Sequence, residues 1–286
     1  MRQAIGIDIG GTGIRGARVA SDGDILDHLG EATASSPSAV MAQIDGLIGK
    51  LDGPGVCAIG VGVPSRVDYK SSRVFPGGYV DLSGPPLANR LRSHGGRPVT
   101  CHNDATMAMV AEARVGAARG CADVVMLTIG TGIGGAVLLG GRIVHGKGTA
   151  GQLGHITVAH AGLVCGCGRK GCLETMSSGT SLGRLLAEAG LAADTRAEDL
   201  LTRRDAAAKA VVARWIGPLR SGIDSLVASF DPDRVVLGGG LGDAACQALA
   251  AFPAGSDWFQ TEVVPAILGG KAGVIGAALA ALDNVK

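Results

Sequence analysis

"IGIDIGGTGIRGARVASDGDIL", Ile5–Leu26, decides how this chain folds. It reads as an apolar strand, a turn rich in glycine and threonine, a second strand, an Asp22-Gly23 turn and a third strand. "VVMLTIGTGIGGAVLLGGRIV", Val124–Val144, repeats the pattern, with Gly140-Gly141 at the second turn. Setting Ile9-Gly10 on Ile129-Gly130 places the copies 120 residues apart. Two copies of strand, anion-type turn, strand and strand predict a two-lobed α/β protein with its ligand between the lobes. Neither turn leads into Gly-Lys-Ser/Thr, so neither is a P-loop, and a strand follows where a dinucleotide fingerprint needs a helix.

The rest of the chain fits strands alternating with helices. Ala39–Lys50 has Val40, Ile44, Leu47 and Ile48 on one helical face. Cys57–Pro64 reads as a buried strand stopped by proline, and Arg234–Leu241 as a strand entering a glycine turn. Ala206–Phe230 reads as a long amphipathic helix ended by Asp231-Pro232, and Ala272–Leu282 as a helix of small residues that must pack closely on a neighbour. A net charge of +1 over 286 residues offers no electrostatic footprint for nucleic acid or an anionic membrane. No apolar run reaches the roughly 18 residues a membrane span needs, and the start lacks the order of a signal peptide. The expectation is a cytoplasmic protein whose seven cysteines are thiols or metal ligands.

Three motifs carry chemistry. In "DIGGTG", Gly10 and Gly11 let the backbone approach an anion, Thr12 adds a hydroxyl donor, and Asp8 stands at the strand end where it can orient a metal–phosphate complex through water. Gly130, Thr131 and Gly132 repeat the arrangement. In "HND", His102–Asp104, a strand passes into a helix. Asn or Asp there is most simply an N-cap. Asp104 is also the best-placed carboxylate outside the glycine turns to take a proton from an attacking hydroxyl.

"CGCGRKGCLE", Cys165–Glu174, holds three cysteines within eight residues. Cys165, Cys167 and Cys172 need one further ligand to close a tetrahedral zinc site, and either His155 or His160 is spaced to supply it. A site with four protein ligands has no open position, so the metal is structural. Glu174 is then held by a rigid loop, suited to aim a carboxylate at a polyol, or serves as a helix-start acid. Cys57, Cys101, Cys121 and Cys246 read as ordinary buried thiols.

Taken in order, "DIGGTGIRGA", "GVGVP", "ND", "TIGTGIGGA", "GQLGH", "CGCGRKGCLE", "DPDRVVLGGGL" and "AGVIGAAL" resemble the ROK family of repressors, open reading frames and sugar kinases, from Ile5 to about Leu282. The resemblance implies a two-lobed fold like actin, Hsp70 and hexokinase, a duplicated ribonuclease-H-like α/β architecture with an interlobe active-site cleft. Residues 1–115 would form a small lobe, with a C-terminal helix at about 272–286 packing back on it, and 116–271 a large lobe with the zinc loop. It implies ATP-dependent transfer to a hexose hydroxyl, most simply at C6, with ATP and Mg²⁺, a structural Zn²⁺, a small-molecule sugar substrate and a homodimer. It places the catalytic base on Asp104 and sugar contacts on Ser65, Asn103, Gln152, His155 and Glu174. His155 doubles as the zinc ligand. The phosphates fall to Gly10, Gly11, Thr12, Gly130, Thr131 and Gly132, and the adenosine to Gly238, Gly239 and Gly240.

Departures from the family pattern bear on the sugar. Gln152 stands where kinases of the family carry Glu, and it exchanges an acceptor for a donor. Ser65 replaces a usual Gly, Gly13 a common Lys, and "FPGGYVDLSGPPLANR" lacks the usual tryptophan. Glucose, the amino sugar kanosamine, N-acetylmannosamine and N-acetylglucosamine are all candidates. A kinase-inactive sugar sensor is the alternative in kind. A repressor is disfavoured, because the chain starts four residues before the first strand and leaves no room for a helix-turn-helix.

Overall fold

The strands expected from the duplicated pattern all form. The computed structural model describes residues 1–78, 80–84, 87–91 and 94–285 (Ala88 by its backbone alone). Tyr79, Pro85 and Pro86 of the tryptophan-free stretch lie outside the description, as do Arg92, Ser93 and Lys286. The chain divides into two compact units, Met1–Gly120 with Ile143–Ala150 and Gly270–Lys286, and Cys121–Arg142 with Gly151–Gly269. The segment Ile143–Ala150 is an excursion of the chain back into the first unit.

In the first unit the meander β1 (Gln3–Ile9), β2 (Gly13–Ala20) and β3 (Ile25–Ala32) leads into α1 (Pro37–Leu51) and β4 (Val56–Val63). A short hairpin follows, β5 (Val67–Asp68) and β6 (Arg73–Val74), then α2 (Leu87–Leu91), β7 (Val99–Asn103) and α3 (Asp104–Val115). α1 starts where Ser36 accepts the Ala39 N–H and Pro37 occupies the first turn, and it buries Val40, Ile44, Leu47 and Ile48 as its periodicity demands. The sheet order is β3-β2-β1-β4-β7. β1 is antiparallel to β2 and parallel to β4, and β4 is parallel to β7.

The second unit repeats this plan. β8 (Val124–Ile129), β9 (Ile133–Leu139) and β10 (Arg142–Ile143) form its meander, and the loop with the clustered cysteines follows. Then come α4 (Leu173–Ser177), α5 (Gly179–Glu188), α6 (Ala197–Thr202), α7 (Ala206–Phe230), β11 (Arg234–Gly238), α8 (Gly242–Leu249) and β12 (Glu262–Pro265). The order β10-β9-β8-β11-β12 matches the first sheet strand for strand, and the central strand again has an antiparallel neighbour on one side and parallel strands on the other. A repeated sheet of this order is the duplicated ribonuclease-H-like architecture that the family resemblance implied. α7 runs the expected span, capped by Asp205 on the Ala208 N–H (2.9 Å) and closed by Asp231 in the left-handed region at φ 42°.

α9 (Ala272–Asp283) returns the chain to the first unit and packs on β1, β4 and α3. Its small residues have a steric reason. A Cβ at Gly6 or Gly60 would run into the carbonyls of Val274 and Ala277, and one at Gly276 into that of Met107. Backbone therefore lies on backbone, and any larger side chain at these glycines forces overpacking worth about 1–3 kcal/mol or more. All seven cysteines are free, but only Cys101 of the four outside the loop is buried. Cys57, Cys121 and Cys246 are half-buried. Among the described residues no helix is long and apolar enough to cross a membrane.

Candidate active site

In the first unit the site is built at the ends of β1 and β7. β1 ends at Ile9, and the Gly10 N–H bonds the Gly13 carbonyl at 2.9 Å, closing a hairpin turn that leaves Gly11 and Thr12 exposed. Asp8 is partly buried. Burial raises its carboxyl above the ordinary range, against the pull of the Arg15 guanidinium 3.8 Å away. It is cradled by glycine: a Cβ at Gly273, in the first turn of α9, would come within 2.7 Å of both its oxygens.

Asp104 is the first residue of α3 and is pushed up to about 7, first by burial and then by the charge of Asp8. Hydrogen bonds from its own turn, with the Ala105 N–H at 2.8 Å, offset part of that rise. Asn103 is the N-cap, its Oδ1 accepting the Ala105 N–H at 3.1 Å. Its Nδ2 donates to the Ser65 carbonyl at 3.2 Å, and the Ser65 hydroxyl donates to the Gly77 carbonyl at 2.7 Å. The simple capping role of Asn103 is thus real, and it fixes the residue that precedes Asp104.

In the second unit the matching turn follows β8. The Gly130 N–H bonds the Gly132 carbonyl at 2.9 Å, and the start of α5 clips the turn: Gly179 N–H to Gly130 O at 2.7 Å, Thr180 Oγ1 to Thr131 O at 2.8 Å. Gly238, Gly239 and Gly240 follow β11, which pairs with β8. Gly239 has φ +79°, and a Cβ there would fall within 2.7 Å of the Ile129 backbone, so only glycine fits beside the turn.

The cysteine loop gathers around His155. Ligand atoms of His155, Cys165, Cys167 and Cys172 all lie within 4.8 Å of one another, and His160 is exposed and not among them. His155 Nδ1 is 3.5 Å from Cys165 Sγ, and Cys167 Sγ is 3.6 Å from Cys172 Sγ. A tetrahedral Zn²⁺ with thiolates at about 2.3 Å has ligand–ligand edges of about 3.7 Å, so the donor set and its spacing fit that ion. With Nδ1 turned to the sulfurs, His155 keeps Nε2 for another partner. Glu174 lies in the first turn of α4, where its Oε2 accepts the Ile133 N–H at 2.9 Å and its Oε1 stands 3.9 Å from Cys165 Sγ. Gln152 immediately precedes the short 3₁₀ turn that presents His155 and makes no capping bond with its side chain.

The structure thus brings Asp8, Asn103 and Asp104 together in one unit, and the glycine turns, Glu174 and the four metal-type ligands together in the other. The sequence reading missed the excursion Ile143–Ala150 and the guanidinium of Arg15. The sequence offered only a cluster of glycines there, Gly146, Gly148 and Gly151, all of which adopt positive φ in the fold.

The ROK family model matches residues 4–284. A glucokinase from Streptomyces coelicolor is 32% identical over 310 residues, covering 97% of each chain. An N-acetylmannosamine kinase from Escherichia coli is 31% identical, again over 97% of each. A crystal structure of a ROK family glucokinase from Streptomyces griseus in complex with glucose and AMPPNP superposes with a TM-score of 0.84 at 31% identity, covering 99% of this chain and 100% of that one.

Proposed function

This chain belongs to the ROK family, and from that membership we propose that it is an ATP-dependent kinase acting on a hexose or amino-hexose, at the C6 hydroxyl. The observation that carries the reading is Asp104, a carboxylate at the end of a strand whose affinity for protons is raised to the neutral range. A base with a pKa near working pH exchanges protons with an alcohol far better than an ordinary aspartate does.

Each residue then has a definite task. Asp104 orients the sugar hydroxyl and takes its proton as the phosphoryl group is transferred. Asn103, tied to the chain by both ends of its amide, holds Asp104 in register. The N–H groups and hydroxyls of Gly10, Gly11, Thr12, Gly130, Thr131 and Gly132 receive the phosphates, and the Gly238–Gly240 turn the adenosine. A Mg²⁺ bound with ATP would neutralise phosphate charge, and Asp8 would help to hold it. Zinc held by His155, Cys165, Cys167 and Cys172 would supply rigidity alone, since all four positions are protein ligands. Glu174 Oε1, His155 Nε2 and Gln152 read the sugar. Ser65, whose hydroxyl is spent on Gly77, shapes the sugar side through its backbone.

Gln152 sets the choice of sugar. An amide in place of a carboxylate loses an acceptor and gains donors, which disfavours a plain polyol pattern and favours a substituted position. Kanosamine heads the list. N-acetylmannosamine follows, supported by the likeness to the E. coli kinase. We place the enzyme in the cytoplasm as a homodimer on family membership alone. The deciding experiment is coupled ADP release with Mg-ATP and, one at a time, glucose, kanosamine, glucosamine, N-acetylglucosamine, N-acetylmannosamine and allose. An amino sugar that exceeds glucose about tenfold in kcat/KM, a difference of about 1.4 kcal/mol, supports a specialised pocket. A preference for glucose reduces Gln152 to tolerated variation. No turnover with any sugar overturns the kinase reading in favour of a sensor.

A further inference from the structure

We propose that His145 is a positioning residue for Asp104, acting through a three-ring stack, Tyr69–His145–His102, that fixes the end of β7. The functional half of this proposal rests on the reading of Asp104 as the base.

Asp104 needs such support. Its carboxylate is hydrogen-bonded within its own turn, with the Ala105 N–H as nearest donor at 2.8 Å, so its aim is set by the backbone of residues 102–104. That backbone is the tip of an outer strand five residues long, paired by β4 alone. Two side chains hold the tip. Asn103 grips the Ser65 carbonyl. His102 lies on His145, with ring centroids 4.7 Å apart and planes inclined by 18°. His145 in turn lies on Tyr69 at 4.3 Å and 19°. Both ring pairs are stacked with nearly parallel planes.

The rings come from three separate segments: the β5–β6 connection, the end of β7 and the excursion Ile143–Ala150. The excursion has a second point of attachment. Gly148 has φ +94°, and a Cβ there would sit 3.0 Å from both Phe75 Cε2 and the Val67 carbonyl, so its backbone lies directly on the hairpin. His145 is therefore seated on a braced loop and can act as a fixed surface for His102. Among the described residues neither imidazole hydrogen-bonds a protein group, so stacking is what locates them. Burial and the proximity of His145 push His102 down to about 4, and burial lowers His145, so both rings are neutral at neutral pH and do not repel.

The test uses the whole protein with His145→Ala, His145→Phe and the more exposed Tyr69→Ala, which serves if His145→Ala does not fold. Two readouts are taken. The first needs neither sugar nor nucleotide: the ¹³C carboxyl resonance of Asp104, assigned with Asp104→Asn, titrated by NMR. The second is kcat and the KM for ATP on the best sugar. Removing the ring is expected to shift the Asp104 midpoint by about one unit and to lower kcat by about tenfold to a hundredfold, as for a small misplacement of a catalytic group, with the KM for ATP within about twofold. His145→Phe, which keeps the stack, is expected to restore both. An unchanged Asp104 titration in His145→Ala overturns the proposal whether or not the protein is a kinase. A shifted titration with unchanged kcat, or a Phe variant no better than Ala, overturns it as well. If the wild type phosphorylates no sugar, the kinase reading alone falls, and the Asp104 titration decides whether His145 positions it.

Discussion

Glu174 accepts the Ile133 N–H at 2.9 Å through Oε2, which ties the cysteine loop to the glycine turn of the second unit. The contact is close: a Cβ at Gly132 would already crowd the Glu174 carboxylate. One oxygen thus serves the glycine turn, and the other stands 3.9 Å from Cys165 Sγ. Glu174→Gln retains a carbonyl acceptor for Ile133 but presents an amide where Oε1 was. It is expected to raise the KM for sugar by about tenfold, the loss of a charged hydrogen bond of about 1.4 kcal/mol, while the KM for ATP stays put. Glu174→Ala releases the turn too, and both constants should rise. Steady-state kinetics with each substrate varied will separate the two, and an unaltered KM for ATP in the alanine variant would sever the loop from the turn.

Asp104→Asn is expected to lower kcat by about 10²–10⁴-fold, the range for removing a general base, with sugar affinity by calorimetry nearly unchanged. A retained rate would move the base elsewhere. The pH dependence follows from the raised carboxyl. With a folded pKa of about 7, kcat/KM falls as pH drops below that value, because the protonated acid cannot accept the hydroxyl proton. Asp8→Asn removes the neighbouring charge and should slide that acid limb toward lower pH.

The same shift has a signed effect on stability. The folded pKa lies above the unfolded value, so between about pH 4 and 7 the native state holds a proton the unfolded chain has lost, and stability declines across that window as pH rises. Above it the cost of the ionised carboxylate is fully present. Asp104→Asn should therefore melt higher than wild type at pH 8 and lose the advantage at pH 4. Calorimetric scans at the two pH values check this, and equal melting at pH 8 would contradict it.

Gly273→Ala should disable Asp8 without touching it. The added methyl would come within 2.7 Å of both Asp8 oxygens in the first turn of α9, and α9 cannot retreat because Gly6, Gly60 and Gly276 already hold it against neighbouring backbone. Asp8 must rotate away. kcat is expected to fall by about a hundredfold, as a misplaced catalytic constellation does, with far-UV circular dichroism unchanged. Full activity would show that Asp8 needs no fixed place.

Much of this was legible in the sequence, for identifiable reasons. The echo between Ile5–Leu26 and Val124–Val144 is a local pattern of strands and turns, and local patterns survive into structure, so both sheets were visible. Ala206–Phe230 was readable to its ends because Asp205 and Asp231 punctuate it. Cys165, Cys167 and Cys172 announced themselves by spacing, whereas the choice between His155 and His160 waited on the fold that turns His155 inward and leaves His160 exposed. The stack of Tyr69, His145 and His102 had no signal at all. Its members are far apart in sequence, and each taken alone is an ordinary residue. Nor could the sequence reveal that Gly273 cradles Asp8, since that contact joins opposite ends of the chain.

The metal loop gives the last test. His155, Cys165, Cys167 and Cys172 hold their donor atoms within 4.8 Å of one another, the donor set that a tetrahedral zinc site takes. Purified protein should carry about one zinc per chain by elemental analysis, in line with a closed four-ligand site. Cys172→Ser removes a fully buried ligand. It should lower the melting temperature by about 5–10 °C, the shift that a loss of roughly 2–4 kcal/mol produces in a protein of this size. Because Glu174 follows on the same short helix, the variant should also raise the KM for sugar before it unfolds. His160→Ala should do neither. Zinc-free protein with wild-type melting would leave the four ligands without a metal to explain them and remove the structural role assigned to the loop.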